Sequence, residues 1–183
     1  IAIDRLREFE PSEGYYLAFS GGKDSQCIYH LAKEAGVKFD AHYNITGIDP
    51  PELVYFIRKN YPDVQRDMYE KSFFKLMEEK GLPTRLKRFC CEVLKEHGGE
   101  DRTCVTGVRW AESNSRKNNR KPFEIMTARK EDKKLFNDND EGRRLFENCM
   151  QKGKRVVNPI IDWTDSDVWE YLNSRGIEYC KLY

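Results

Sequence analysis

The sequence predicts an α/β protein built on a mostly parallel sheet with helices on both faces. Three features carry that prediction. A short apolar run, Tyr15-Tyr16-Leu17-Ala18-Phe19, breaks into Ser20-Gly21-Gly22, and helix-spaced apolar residues Cys27, Ile28, Leu31 and Ala32 follow at once. Beyond Gly36, residues 37–44 return to strand character, with Phe39, Ala41 and Tyr43 on one face. Tyr15 to Asn44 is thus a βαβ unit, a motif that is right-handed in nearly every protein. Two later runs, 103–107 and 155–161, repeat the strand pattern, and the second leads into another helix.

In chain order, Ile3 to Phe9 reads as an amphipathic lead-in helix stopped by Pro11 and Gly14. The first strand, glycine loop and long helix follow. Residues 45–51 form a loop in which Pro50-Pro51 opens a helix over 52–60. That loop leaves the carboxyl end of the second strand, where α/β sheets bind ligands. Thr46, Asp49 and Glu52 are therefore candidates near a ligand, although a helix cap accounts for Asp49 equally well. A third strand is expected within 61–66, and helices over 72–80 and 82–97, ended by Gly81 and by Gly98-Gly99. Residues 114–145 are highly charged and poor in large apolar groups, which predicts a lid or solvated excursion outside the core. Thr164-Asp165-Ser166-Asp167 caps a final helix bearing Val168, Trp169, Tyr171 and Leu172. No internal repeat is visible.

The 183 residues suffice for one domain with a real core. Lys and Arg number 32 against 31 Asp and Glu, a net charge of +1, so no global field recruits nucleic acid. No apolar run approaches bilayer length and no signal peptide is evident, so a cytoplasmic protein is expected. The six cysteines are irregularly spaced, unlike a disulfide scaffold. The adjacent pair Cys90-Cys91 points instead to metal, redox chemistry or burial. The chain starts at Ile1 rather than methionine, which predicts a fragment of a longer protein.

The chemistry concentrates first in Ser20-Gly21-Gly22-Lys23-Asp24-Ser25. A strand that breaks into glycines and re-enters as a helix presents backbone N–H groups at the helix start, and these with the helix dipole attract anions. Gly21 and Gly22 let a phosphate approach the backbone. Lys23 adds charge, while Ser20 and Ser25 add hydroxyls. Asp24 either caps the helix or helps hold Mg²⁺. The spacing is not that of the Walker loop, which needs four residues between its first glycine and Gly-Lys. The run resembles the pyrophosphate loop of the adenine nucleotide α-hydrolase superfamily.

A second constellation is Thr106-Gly107-Val108-Arg109-Trp110-Ala111-Glu112, continuing to Arg116. An arginine just after a strand-ending glycine puts a guanidinium at the ligand-bearing sheet edge, suited to phosphate or sulfate oxygens. Glu112 and Arg116 lie four apart, and substrate contact and a helical ion pair are equally open for them.

Taken with Cys90-Cys91 and with Asn158-Pro159-Ile160-Ile161-Asp162-Trp163 before Asp167-Val168-Trp169, the whole chain resembles the phosphoadenosine phosphosulfate (PAPS) reductase domain family, in bacterial and phage-type members. The resemblance implies a roughly five-stranded, Rossmann-like sheet. It also implies an adenine nucleotide across the strand ends, its base near Phe19 and Tyr43 and its phosphates on Ser20 to Ser25, Gly107 and Arg109. Lys23 and Arg109 are the candidate catalytic residues.

Two departures bear on function. Assimilatory reductases do not usually carry the intact loop, which looks more like ATP-using relatives such as the small subunit of ATP sulfurylase. They also need a nucleophilic cysteine in a C-terminal tail, which here would lie beyond Tyr183. Three readings follow. The first is an ATP pyrophosphatase, using Mg²⁺, that activates an unknown acceptor for sulfur transfer, with a partner protein supplying sulfur or electrons. The second is a PAPS or adenylylsulfate reductase, and the third a nucleotide-binding module without turnover.

Adjacent helical residues diverge by about 100°, so Cys90 and Cys91 suit either a 4Fe–4S cluster or one buried and one surface thiol. Arg85, Lys87, Arg88 and Lys95 would lower their thiol pKa values and offset a cluster's charge. The resemblance to adenylylsulfate reductases favours the cluster, but the second cysteine pair those proteins carry is absent.

Overall fold

The structure, a computed structural model, describes residues 1–84, 93–94, 98–99, 101–126, 134–136 and 154–182. Among these, seven strands form one sheet. They are β1 (Tyr15–Ala18), β2 (Phe39–Ile45), β3 (Gln65–Met68), β4 (Thr103–Val105), β5 (Phe123–Met126), β6 (Lys134–Phe136) and β7 (Lys154–Val157), ordered β3-β2-β1-β4-β7-β5-β6. The first four and β7 are mutually parallel, in keeping with the mostly parallel sheet expected, but the described strands number seven rather than roughly five. An antiparallel pair, β5 and β6, extends that set beyond β7.

The chain builds outward from β1 to β2 to β3 and then returns to place β4 on the other side of β1. The order therefore reverses between β1 and β4, and sheets of this kind bind ligands outside the carboxyl ends of strands at such a reversal. The loop after β1 and the Gly107–Arg109 stretch after β4 meet there.

The central helix is α2 (Lys23–Ala35), which packs against α1 (Ala2–Glu8) and α6 (Asp165–Ser174). Its buried Cys27, Ile28, Leu31, Ala32 and Ala35 recur at helical spacing. Gly36 ends it in the left-handed conformation at φ 71°. Alternation on β1 sends Tyr15 and Leu17 into this core, and Tyr16 to a smaller cluster with Cys104 and Val156 on the opposite face. Buried Arg5 of α1 donates to the Pro159 carbonyl at 2.8 Å and to both Asp162 carboxylate oxygens at 2.8 and 3.1 Å. The lead-in helix is thereby tied to the segment before α6.

The solvated excursion expected over 114–145 does not hold for residues 123–126. Phe123 and Ile125 are core residues on β5. Charge disguised the strand because buried Glu124 alternates with them and accepts from Arg120 Nε at 2.7 Å and Asn158 Nδ2 at 2.8 Å. Residues 127–133 and 137–153 lie outside the described set. No helix among the described residues is long and apolar enough to cross a membrane.

Candidate functional site: the β1–α2 loop and its cavity

The loop is fixed by a contact that only glycine permits. Gly21 has φ +74°, and a Cβ there would lie 2.8 Å from both Leu53 Cδ1 and Ile57 Cδ1 of α3 (Pro51–Asn60). Gly22 is the N-cap of α2 and offers no side-chain cap to the first helical N–H groups. Ser25 Oγ donates to the Gly22 carbonyl at 2.9 Å and Ser20 Oγ to Ser25 Oγ at 3.3 Å, so the serines hold the loop to the first helical turn. Buried Gln26 donates to the Gly21 carbonyl at 3.0 Å and does the same from below.

Gly107 has a comparable role at the end of β4. A Cβ there would sit 3.1 Å from the backbone carbon and Cβ of Asp24, so glycine lets β4 abut the start of α2. That approach delivers Arg109 to Asp24. The Arg109 guanidinium, 1% exposed, donates from Nε to Asp24 Oδ1 at 2.7 Å, from Nη2 to Asp165 Oδ1 at 2.9 Å and from Nη1 to the Trp163 carbonyl at 3.3 Å. Lys23 Nζ lies 3.3 Å from Asp24 Oδ2 and 3.2 Å from Asp165 Oδ1. Two cations and two carboxylates thus interlock where the sheet order reverses.

Arg109 reaches the sheet edge, where its buried guanidinium braces α2 against α6. The expectation that Asp24 caps α2 is corrected: the N-cap is Gly22, and the Asp24 oxygens face Arg109 and Lys23.

Phe19 and Tyr43 do meet at a ligand-sized space. With Ala18, Ser20, Gly22, His42, Asn44, Asp49, Leu53, Cys180 and Leu182 they line a cavity of about 520 Å³ at the carboxyl ends of β1 and β2. Asp49 Oδ2 accepts from the Thr46 amide at 3.0 Å and from Thr46 Oγ1 at 2.7 Å, which shapes the cavity rim. Burial raises the pKa of the Tyr43 hydroxyl, and the adjacent Asp49 carboxylate adds to the effect. Glu52 is exposed in the first turn of α3 and does not line this space.

Glu112 and Arg116 form an ion pair, and Glu112 Oε2 also accepts from the Arg109 amide at 3.0 Å. Their contacts tie the 3₁₀ turn Trp110–Glu112 to α5 (Asn114–Asn119). Cys90 and Cys91, with Arg85, Lys87, Arg88 and Lys95, lie outside the described residues. Among the described residues, no three His, Cys, Asp or Glu side chains gather as a metal site, and Cys27, Cys104 and Cys180 are free and buried.

Sequence reasoning missed Gln26, Cys180 and Asp165. Gln26 left one trace, a polar residue inside the apolar stripe of α2. Asp165 was absorbed into the capping run before α6, whereas the cap is a reciprocal pair of Thr164 and Asp167.

Residues 14–183 match the phosphoadenosine phosphosulfate reductase domain. The chain belongs to this family. Its relatives include an uncharacterized protein of Methanocaldococcus jannaschii, 28% identical over 91% of the chain but only 33% of the relative. Sulfate adenylyltransferase subunit 2 of Sulfurovum sp. is 28% identical over 91% of the chain and 59% of that protein. A probable FAD synthase of Schizosaccharomyces pombe is 26% identical over 99% of the chain and 60% of that protein. The chain thus spans between one third and three fifths of these relatives' lengths. Among solved structures, PAPS reductase of Candida auris in a phosphate complex superposes with a TM-score of 0.62 at 14% identity, covering 99% of this chain and 82% of that one. A tRNA thiolase of Methanococcus maripaludis with its 4Fe–4S cluster gives 0.55 at 14% identity, over 98% of this chain and 65% of that one. These two likenesses concern the fold.

Proposed function

We propose that the chain binds ATP and transfers its adenylyl group to an acceptor in sulfur metabolism, releasing pyrophosphate. The observation that carries this is the contiguity of two sites. A cavity of about 520 Å³ opens at the ends of β1 and β2, within the range of nucleotide-sized pockets. Its wall continues through Ser20 and Gly22 into the intact loop that carries Lys23. A base between Phe19 and Tyr43 would set its phosphates on the loop.

In that pose an acceptor oxygen attacks the α-phosphorus. The bond from phosphorus to the bridging oxygen breaks, and pyrophosphate departs with the electron pair. Lys23 and the first N–H groups of α2 take up the charge that develops on it. Asp24 is engaged by Lys23 and Arg109, so any Mg²⁺ would enter on the nucleotide's phosphates rather than on a site prepared by the protein. The sulfate adenylyltransferase relatives support the reaction class by name, and their being subunits supports a protein partner. A cytoplasmic location is consistent with this chemistry.

The test is incubation with α-labelled ATP and candidate oxyanions, following AMP, adenylylated product and pyrophosphate. Acceptor-dependent pyrophosphate release supports the reading. Sulfite release from PAPS or adenylylsulfate with a thiol reductant, and no pyrophosphate from ATP, would replace it with a reductase. ATP binding without either turnover would leave a nucleotide-binding module.

A further inference from the structure

We propose that Asp165 is a built-in competitor, a carboxylate that stands in for ligand phosphate on Lys23 and Arg109 and is displaced when a polyphosphate binds. The inference rests on the reading of the β1–α2 loop as a phosphate site and adds a residue that nothing in the loop's own pattern contains.

The geometry is specific. One oxygen, Asp165 Oδ1, accepts from Arg109 Nη2 at 2.9 Å and lies 3.2 Å from Lys23 Nζ. Those are the two cations that the loop and the β4 end bring to the reversal point. Asp165 is not needed to start α6. The Thr164 amide donates to Asp167 Oδ2 at 2.7 Å and the Asp167 amide to Thr164 Oγ1 at 3.2 Å, which completes the cap without it. Of the four charged groups, Arg109 is 1% exposed and Asp165 67% exposed. The carboxylate, not the guanidinium, therefore meets an incoming ligand. The Arg109 hydrogen bond, with a further contribution from Lys23, holds the Asp165 carboxyl below the usual aspartate range, so it is an anion at neutral pH.

The consequence follows from charge. Lys23 and Arg109 balance Asp24 and Asp165, so the group is neutral as it stands and exerts little pull on a singly charged anion. A pyrophosphate group, with several charges and oxygens to share between both cations, exchanges favourably with one carboxylate. The released carboxylate is exposed and recovers its hydration, so displacement costs little.

The experiment measures binding of inorganic pyrophosphate, ATP and adenosine to the wild type, Asp165→Asn and Asp165→Glu by calorimetry, with a thermal melt to confirm folding. Asparagine keeps the size and the helix start but removes the competing charge. Pyrophosphate and ATP are expected to bind about two- to fivefold tighter, the scale of an exposed ion pair removed from competition. Adenosine should be unchanged, and glutamate should restore wild-type affinities. Unchanged or weaker pyrophosphate binding in a folded Asp165→Asn variant would overturn the proposal and leave the phosphate site standing. If neither the wild type nor the variant bound pyrophosphate or ATP, the phosphate-site reading would fail and this proposal with it.

Discussion

Replacing Arg109 is expected to weaken the fold itself, because the guanidinium is enclosed rather than offered to solvent. Its three acceptors are Asp24, Asp165 and the Trp163 carbonyl, at 2.7, 2.9 and 3.3 Å. Removing one partner of a fully buried ion pair costs about 3–5 kcal/mol. Here the carboxylates are partly exposed, and Asp165 rehydrates freely, so truncation to alanine should cost roughly 2–3 kcal/mol, most of it from Asp24 and the lost packing of the long side chain. Arg109→Lys keeps the charge but cannot reach both carboxylates with a fork, so about 1–2 kcal/mol is expected. Urea denaturation slopes run at about 1–3 kcal/mol per molar, so the midpoint for alanine should fall by about 1 M. An unchanged midpoint with loss of nucleotide binding would show that Arg109 is an exposed ligand fork and that the brace between α2 and α6 carries nothing.

Gly21→Ala should cost about 2 kcal/mol or more, since a left-handed residue is strained by about 1–2 kcal/mol and its Cβ would press on Leu53 and Ile57 at 2.8 Å. A melt within 2 °C of wild type would contradict this. Asp40 has its pKa lowered by hydrogen bonding to Arg102 and, secondarily, to His42. A depressed carboxyl contributes stability that is complete above the ordinary aspartate value of 3.8 and is lost as pH falls through the lower folded value. Asp40→Asn should therefore flatten the acid limb of a stability-versus-pH curve, and a parallel displacement of the whole curve would refute that link.

The parallel part of the sheet was legible because its signals are local. Alternation on 37–44, glycine after apolar runs, and proline at the start of α3 each specify backbone geometry within a few residues. The loop and its position at the end of β1 were legible for the same reason. What escaped is non-local. Phe123 and Ile125 alternate with a buried Glu124 that pairs with Arg120 and accepts a hydrogen bond from Asn158, a partner 34 residues away. Arg109 meets Asp24 and Asp165 from 85 and 56 residues away, contacts that no local pattern announces. Cys180 comes to the cavity wall from the far end of the chain, and nothing in the pattern near β1 or β2 points to it.

The most direct test of the central claim, that the β1–α2 loop holds the outer phosphates of an adenine nucleotide, compares ATP and AMP binding to the wild type and to Lys23→Ala by calorimetry. A charge-assisted hydrogen bond is worth about 1.5–3 kcal/mol. ATP affinity should therefore fall by roughly tenfold or more in the variant while AMP changes by about twofold at most. Equal losses for both nucleotides, or no loss for either, would remove Lys23 and its loop from the pyrophosphate role.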